Sequence, residues 1–62
     1  MSKEHLLYVM SNVLCWDRGW NVKKNNIRSI AVACERYDGN YGYWEYEMLI
    51  RKYGLRKLKE EM

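Results

Sequence analysis

Apolar positions recur along this chain at helical spacing, in blocks that each run up to a glycine. Leu6, Leu7, Met10, Val13 and Leu14 fall at i, i+1, i+4, i+7 and i+8, which is one face of a helix. Ile27, Ile30, Ala31, Cys34 and Tyr37 mark a second stripe, with Val32 the only large apolar residue clearly off it. Tyr43, Tyr46, Leu49, Ile50 and Tyr53 mark a third, and Leu55, Leu58 and Met62 a short fourth. Gly19, Gly39 and Gly54 follow the first three blocks, where a helix C-terminus favours a residue free to take positive φ.

The polar positions agree with these blocks. Ser2 is placed to cap the first helix, with Glu4 in its first turn, and Arg18 with Gly19 to close it. Asn25 or Asn26 can cap the second helix, and an earlier start from Asn21 is also allowed. Asp38-Gly39-Asn40 reads as a turn. In the third block Glu45 and Glu47 fall early and Arg51 and Lys52 fall late, the order the helix dipole favours. Glu47 and Arg51 also stand four apart as a favourable ion pair.

These signals predict an all-α fold, a small bundle of three to four short helices, with residues 1–62 as a single helical domain. A rival pattern runs through the third block. Trp44, Tyr46, Met48 and Ile50 alternate with Glu45 and Glu47, as in a strand. Residues 28–50 would then form a hairpin around Asp38-Gly39, giving an α+β fold. The stripes, caps and charge order together favour helices. Two geometries stay open at Gly54. Either the chain breaks there and residues 55–62 fold back, or one long helix runs through. The long helix would carry a second face of Trp44, Met48, Leu55, Leu58 and Met62 that needs a partner such as another copy of the chain.

Length limits the chemistry. A chain of 62 residues buries only ~60% of its unfolded surface, so its core is marginal. Two cysteines, Cys15 and Cys34, do not make a secreted disulfide framework, and whether they pair is open. The apolar runs Leu6 to Met10 and Ile30 to Cys34 are too short to cross a membrane, and the N-terminus does not read as a signal peptide. A cytoplasmic location with reduced thiols is expected. His5, Cys15 and Cys34 show no paired metal-ligand spacing, so no metal or cofactor is expected. A single histidine close to a fraying terminus is a poor general base. Glu45 and Glu47 diverge on a helix. No enzyme activity is expected.

Surfaces carry more information. The chain uses six Tyr and three Trp but no Phe, a choice that suits half-wet positions with a polar tip. Only some of the rings in the third block fit inside a small bundle. Tyr41, Tyr43, Trp44 and Met48, with Arg51 and Lys52, form a candidate partner-binding cluster, since Trp, Tyr and Arg are enriched at interface hot spots. The plain alternative is that Tyr41 and Trp44 only cover the end of the bundle. The net charge of +3 is arranged basic, acidic, basic along the chain. Lys23, Lys24, Arg28, Arg56 and Lys57 are candidate nucleic-acid contacts, with Trp20 nearby for stacking. A helix-turn-helix reading would put Glu45 and Glu47 against phosphates, which weakens it.

The sequence therefore points to a small binding protein whose leading partner is another protein. An inhibitor or regulator acting by occlusion, with Trp44 as anchor, fits best. A phage or mobile-element factor blocking a host nucleic-acid-handling enzyme is one such role. A small basic DNA- or RNA-binding protein is the alternative, and a homodimer through the long-helix face is a third reading.

Overall fold

The computed structural model describes residues 2–16 and 26–62. Four helices form: α1 (Lys3–Trp16), α2 (Ile27–Asp38), α3 (Tyr43–Tyr53) and α4 (Leu55–Glu61). No strand occurs among the described residues. The hairpin over residues 28–50 is thereby replaced by two helices. Helical burial explains why: Tyr46 and Ile50, four apart, both face the core, whereas a strand would have placed Trp44 and Met48 beside them. Arg18, Gly19, Trp20, Asn21, Lys23, Lys24 and Asn25 lie outside the described residues.

Local chemistry sets the helix ends. The Ser2 hydroxyl accepts from the His5 amide at 3.1 Å and caps α1. The Asn26 side chain accepts from the Arg28 amide at 2.8 Å and caps α2. Gly39 ends α2 with φ 71°, in the left-handed region, and its amide donates to the Glu35 carbonyl at 2.8 Å. Gly54 has φ 86° and ψ 114°, a conformation that L residues with a Cβ avoid. Its amide still closes α3 on the Ile50 carbonyl, and its carbonyl starts α4 by accepting from Leu58. The chain thus turns at Gly54, and the single long helix does not form. Leu58 is fully buried, so the five-residue face proposed for a long helix does not exist as an exposed surface.

One core joins the helices. Leu6, Val9, Met10 and Val13 come from α1, and Ile30, Ala31, Ala33 and Cys34 from α2. Tyr46 and Ile50 come from α3 and Leu58 from α4. The α2 helix packs most extensively on α3, α1 leans on α2, and α4 folds back on α3. Lys3 Nζ meets Glu61 Oε2 at 2.7 Å and ties the first helix to the last. That pair is partly exposed, so it contributes at most about 1 kcal/mol. On the outer edge of α1 and α2, Trp16 meets Tyr37 edge-on at 5.7 Å.

The two cysteines are both free and differ sharply. Cys15 is exposed, whereas Cys34 is buried. Burial pushes the Cys34 thiol up to about 12, with the Asp38 carboxylate adding to the shift. At neutral pH Cys34 is therefore a thiol packed as a small apolar residue.

Asp38 carries more than a turn. Its carboxylate accepts from the Tyr46 hydroxyl and from Asn40 Nδ2 at 3.3 Å. His5 Nε2 approaches the same carboxylate at 3.5 Å. Partial burial alone would raise the Asp38 carboxyl, but the hydrogen bonds from Tyr46, His5 and Asn40 outweigh it and hold the group below its usual range. Burial is the main force pushing the Tyr46 hydroxyl upward, followed by that same bond. Rings close over this junction, with Tyr41 edge-on to His5 at 5.8 Å and to Tyr46 at 5.9 Å. His5 thus has its place at the junction of α2 and α3, close to the N-terminus though it is.

Candidate interaction surface on α3

The α3 helix has one face in the core and one in water. Tyr46 and Ile50 are fully buried, while Trp44 is 58% exposed and Met48 70% exposed. Two large apolar side chains one turn apart on the outside of a helix are not required by folding. Charged residues surround them. Glu45 and Lys52 are exposed along one border, and the Arg51 side chain is 64% exposed along the other.

The α2 helix completes this surface with Arg28. Its guanidinium lies 5.6 Å from the centre of the Trp44 ring. The Tyr43 hydroxyl beside it is the main cause of its raised pKa, with the Glu47 charge adding. Tyr43 and Trp44 rings stand 4.5 Å apart, tilted by 33°. A cation in the first turn of a helix opposes the helix dipole. Arg28 occupies that position in α2, and its favourable contacts come from α3.

Glu47 lies under this border and is only 9% exposed. Its Oε1 accepts from Arg51 at 3.1 Å, and its Oε2 is buried without a partner among the described residues. The pair holds Arg51 on the same side of α3 as Trp44, about two turns away. On the opposite border, Tyr41, Glu45, Met48, Leu49 and Lys52 line an open groove of about 410 Å³. Lys52 Nζ lies 5.4 Å from the centre of the neighbouring Tyr53 ring, an exposed contact that a competing anion would readily displace.

The residues singled out from sequence therefore fall into different places. Trp44, Met48, Arg51 and Lys52 share the outer face of α3. Tyr43 is half-buried at the α2 border. Tyr41 is half-buried against the core and the Asp38 junction, and it also lines the groove. Among the candidate nucleic-acid contacts, Arg28 sits over Trp44. Arg56 reaches Glu60 on its own helix at 3.5 Å, and Lys57 is exposed beside it. Lys23 and Lys24 lie outside the described residues. The sequence missed Arg28 as a neighbour of Trp44, because that contact joins two helices. It also missed the burial of Glu47, whose available clue was the i, i+4 spacing to Arg51.

No family model, curated protein or solved structure matches this chain. Among the described residues, no group of three or more His, Cys, Asp or Glu is arranged to hold a metal, and no helix is long and apolar enough to cross a membrane.

Proposed function

We propose that this protein acts by binding another protein through the outer face of α3, as an inhibitor or regulator that occludes part of its partner's surface. The carrying observation is the exposure of Trp44 and Met48 in the middle of a face bordered by Arg28, Arg51, Lys52 and Glu45. Trp and Arg are the residue types that dominate binding energy at interfaces, and a charged rim around an apolar centre sets orientation and excludes water. Trp44 is the anchor, Met48 an adaptable apolar neighbour, and Arg28, Arg51 and Lys52 the specificity ring.

The test compares wild type with Trp44→Ala as bait in lysate capture, each with and without nuclease. A protein that resists nuclease and is retained by wild type but lost with folded Trp44→Ala supports the reading. Equal capture by both baits overturns it.

One observation favours nucleic acid as a second reading. Arg28 over Trp44, with Tyr43 stacked beside it, resembles the cation-and-ring platforms that hold single-stranded bases. Glu45 and Glu47 on the same helix oppose phosphate binding. If nucleic acid is the ligand, affinity for an oligonucleotide falls steeply with salt and falls again in Arg28→Gln.

A further inference from the structure

We propose that the outer face of α3 also pairs with the same face of a second copy of this chain, the two helices running antiparallel about a two-fold axis near Met48. This proposal stands on the exposure and charge order of α3 and does not depend on the partner reading above.

A two-fold interface brings one patch against itself, so the patch must be self-complementary. The outer face of α3 meets that condition only in antiparallel order. Glu45 lies at its N-terminal end and Arg51 and Lys52 at its C-terminal end, with Trp44 and Met48 on the strip they border. Side by side in parallel, two copies would set acid on acid and base on base. Antiparallel, each acid meets a base, and the two-fold axis makes the match twice.

The helical positions also place each group on the correct side of the seam. At about 100° per residue, Glu45 and Lys52 fall on one side of the line through Met48, and Trp44 and Arg51 on the other. The two-fold axis keeps each side facing its own equivalent. Glu45 therefore faces Lys52 of the other copy, at the border where the groove beside Leu49 leaves room for it. Trp44 faces Arg51 of the other copy, a cation directed at an exposed ring. Each Arg51 arrives already paired to its own Glu47, so it adds little repulsion to the Arg28 that covers the Trp44 ring.

The face is short. Gly54 ends the helix, so 11 residues offer a strip about 16 Å long. That is smaller than the roughly 800 Å² per partner of a standard interface. The dimer is accordingly weak and fills only as concentration rises. Where it forms, it covers Trp44, so it competes with any other occupant of this face.

A charge exchange tests the pairing by sedimentation, from about 10 μM to about 1 mM chain. The variants are Glu45→Lys, Lys52→Glu, the double exchange of both, and an equimolar mixture of the two single variants. Both positions are exposed, and circular dichroism checks the fold. Wild type rises from 7.6 kDa towards twice that mass with concentration. Each single variant stays monomeric, with dimer affinity at least about tenfold lower, because like charges now face each other. The double exchange recovers. The mixture recovers too, since the lysine introduced by Glu45→Lys in one chain then meets the glutamate introduced by Lys52→Glu in the other. A wild type that stays monomeric throughout, or folded single variants that associate as wild type does, overturns the proposal. A folded double exchange without recovery does so as well. No partner protein enters these measurements, so their failure leaves the partner reading standing, and the converse holds.

Discussion

Two groups of aromatic rings meet α3, and they behave in opposite ways. At its N-terminal end, Tyr46, Tyr41 and His5 close over the Asp38 carboxylate. On the other side of the same end, the Trp44 ring lies outside under Arg28, against a half-buried Tyr43. Both groups contain tyrosine and a charged neighbour, so residue type does not separate them. The difference is where the polar tip finds its partner. The Tyr46 hydroxyl is satisfied inside the fold, which lets a large ring be fully buried. Trp44 presents its ring to water, and a surface cation stands over it. The first group holds three helices together, whereas the second is left available for contact.

Removing the inner ring should be the most damaging change. Tyr46→Ala leaves a cavity in the core and takes one hydrogen bond from Asp38, leaving it only Asn40 and His5, at a cost of roughly 3–5 kcal/mol. A domain of this size has about 3–9 kcal/mol of stability in total. Chemical denaturation is expected to show the variant largely unfolded. A cooperative transition near that of wild type would mean that the inner and outer groups do not differ as described.

The junction has a pH signature whose sign can be worked out. Asp38 in the folded protein lies below its unfolded value of about 3.9. Its contribution is therefore complete above that unfolded value and is lost as pH falls through the folded one. Asp38→Asn should lower stability at neutral pH by less than Tyr46→Ala does. It should also flatten the acid limb of a stability–pH curve below about pH 4. An acid limb as steep as that of wild type would assign the acid sensitivity to other carboxylates.

Trp44→Ala should have the smallest effect on the fold, within about 0.5 kcal/mol of wild type by thermal unfolding. It should also remove binding through the outer face. A large loss of stability would instead make Trp44 a covering residue of the core and erase the contrast.

Much of the fold was legible because local rules decide it. Asn26, Gly39 and Gly54 act where their chemistry places them, and the acids and bases of α3 follow its dipole. In α1 the stripe read from spacing is off centre. Leu7 and Leu14 are only half-buried, while Val9, which also fits an i, i+3, i+4, i+7 pattern with Leu6, Met10 and Val13, is fully buried. Spacing gives a face, but its centre depends on where the neighbouring helices sit. Trp44 and Met48 were legible as surplus apolar mass on a helix that already had a core stripe. Arg28 over Trp44 and His5 with Asp38 were not, because each contact joins residues far apart in sequence through packing that no local pattern encodes.

The contrast between the two thiols gives the molecule a built-in unfolding clock. An alkylating reagent can reach Cys15 in the native state, but it can reach Cys34 only when the core opens. In a mass spectrum, a single adduct counts folded molecules and a double adduct counts those that have opened, so timed labelling reads the opening rate of every variant proposed above without adding a probe.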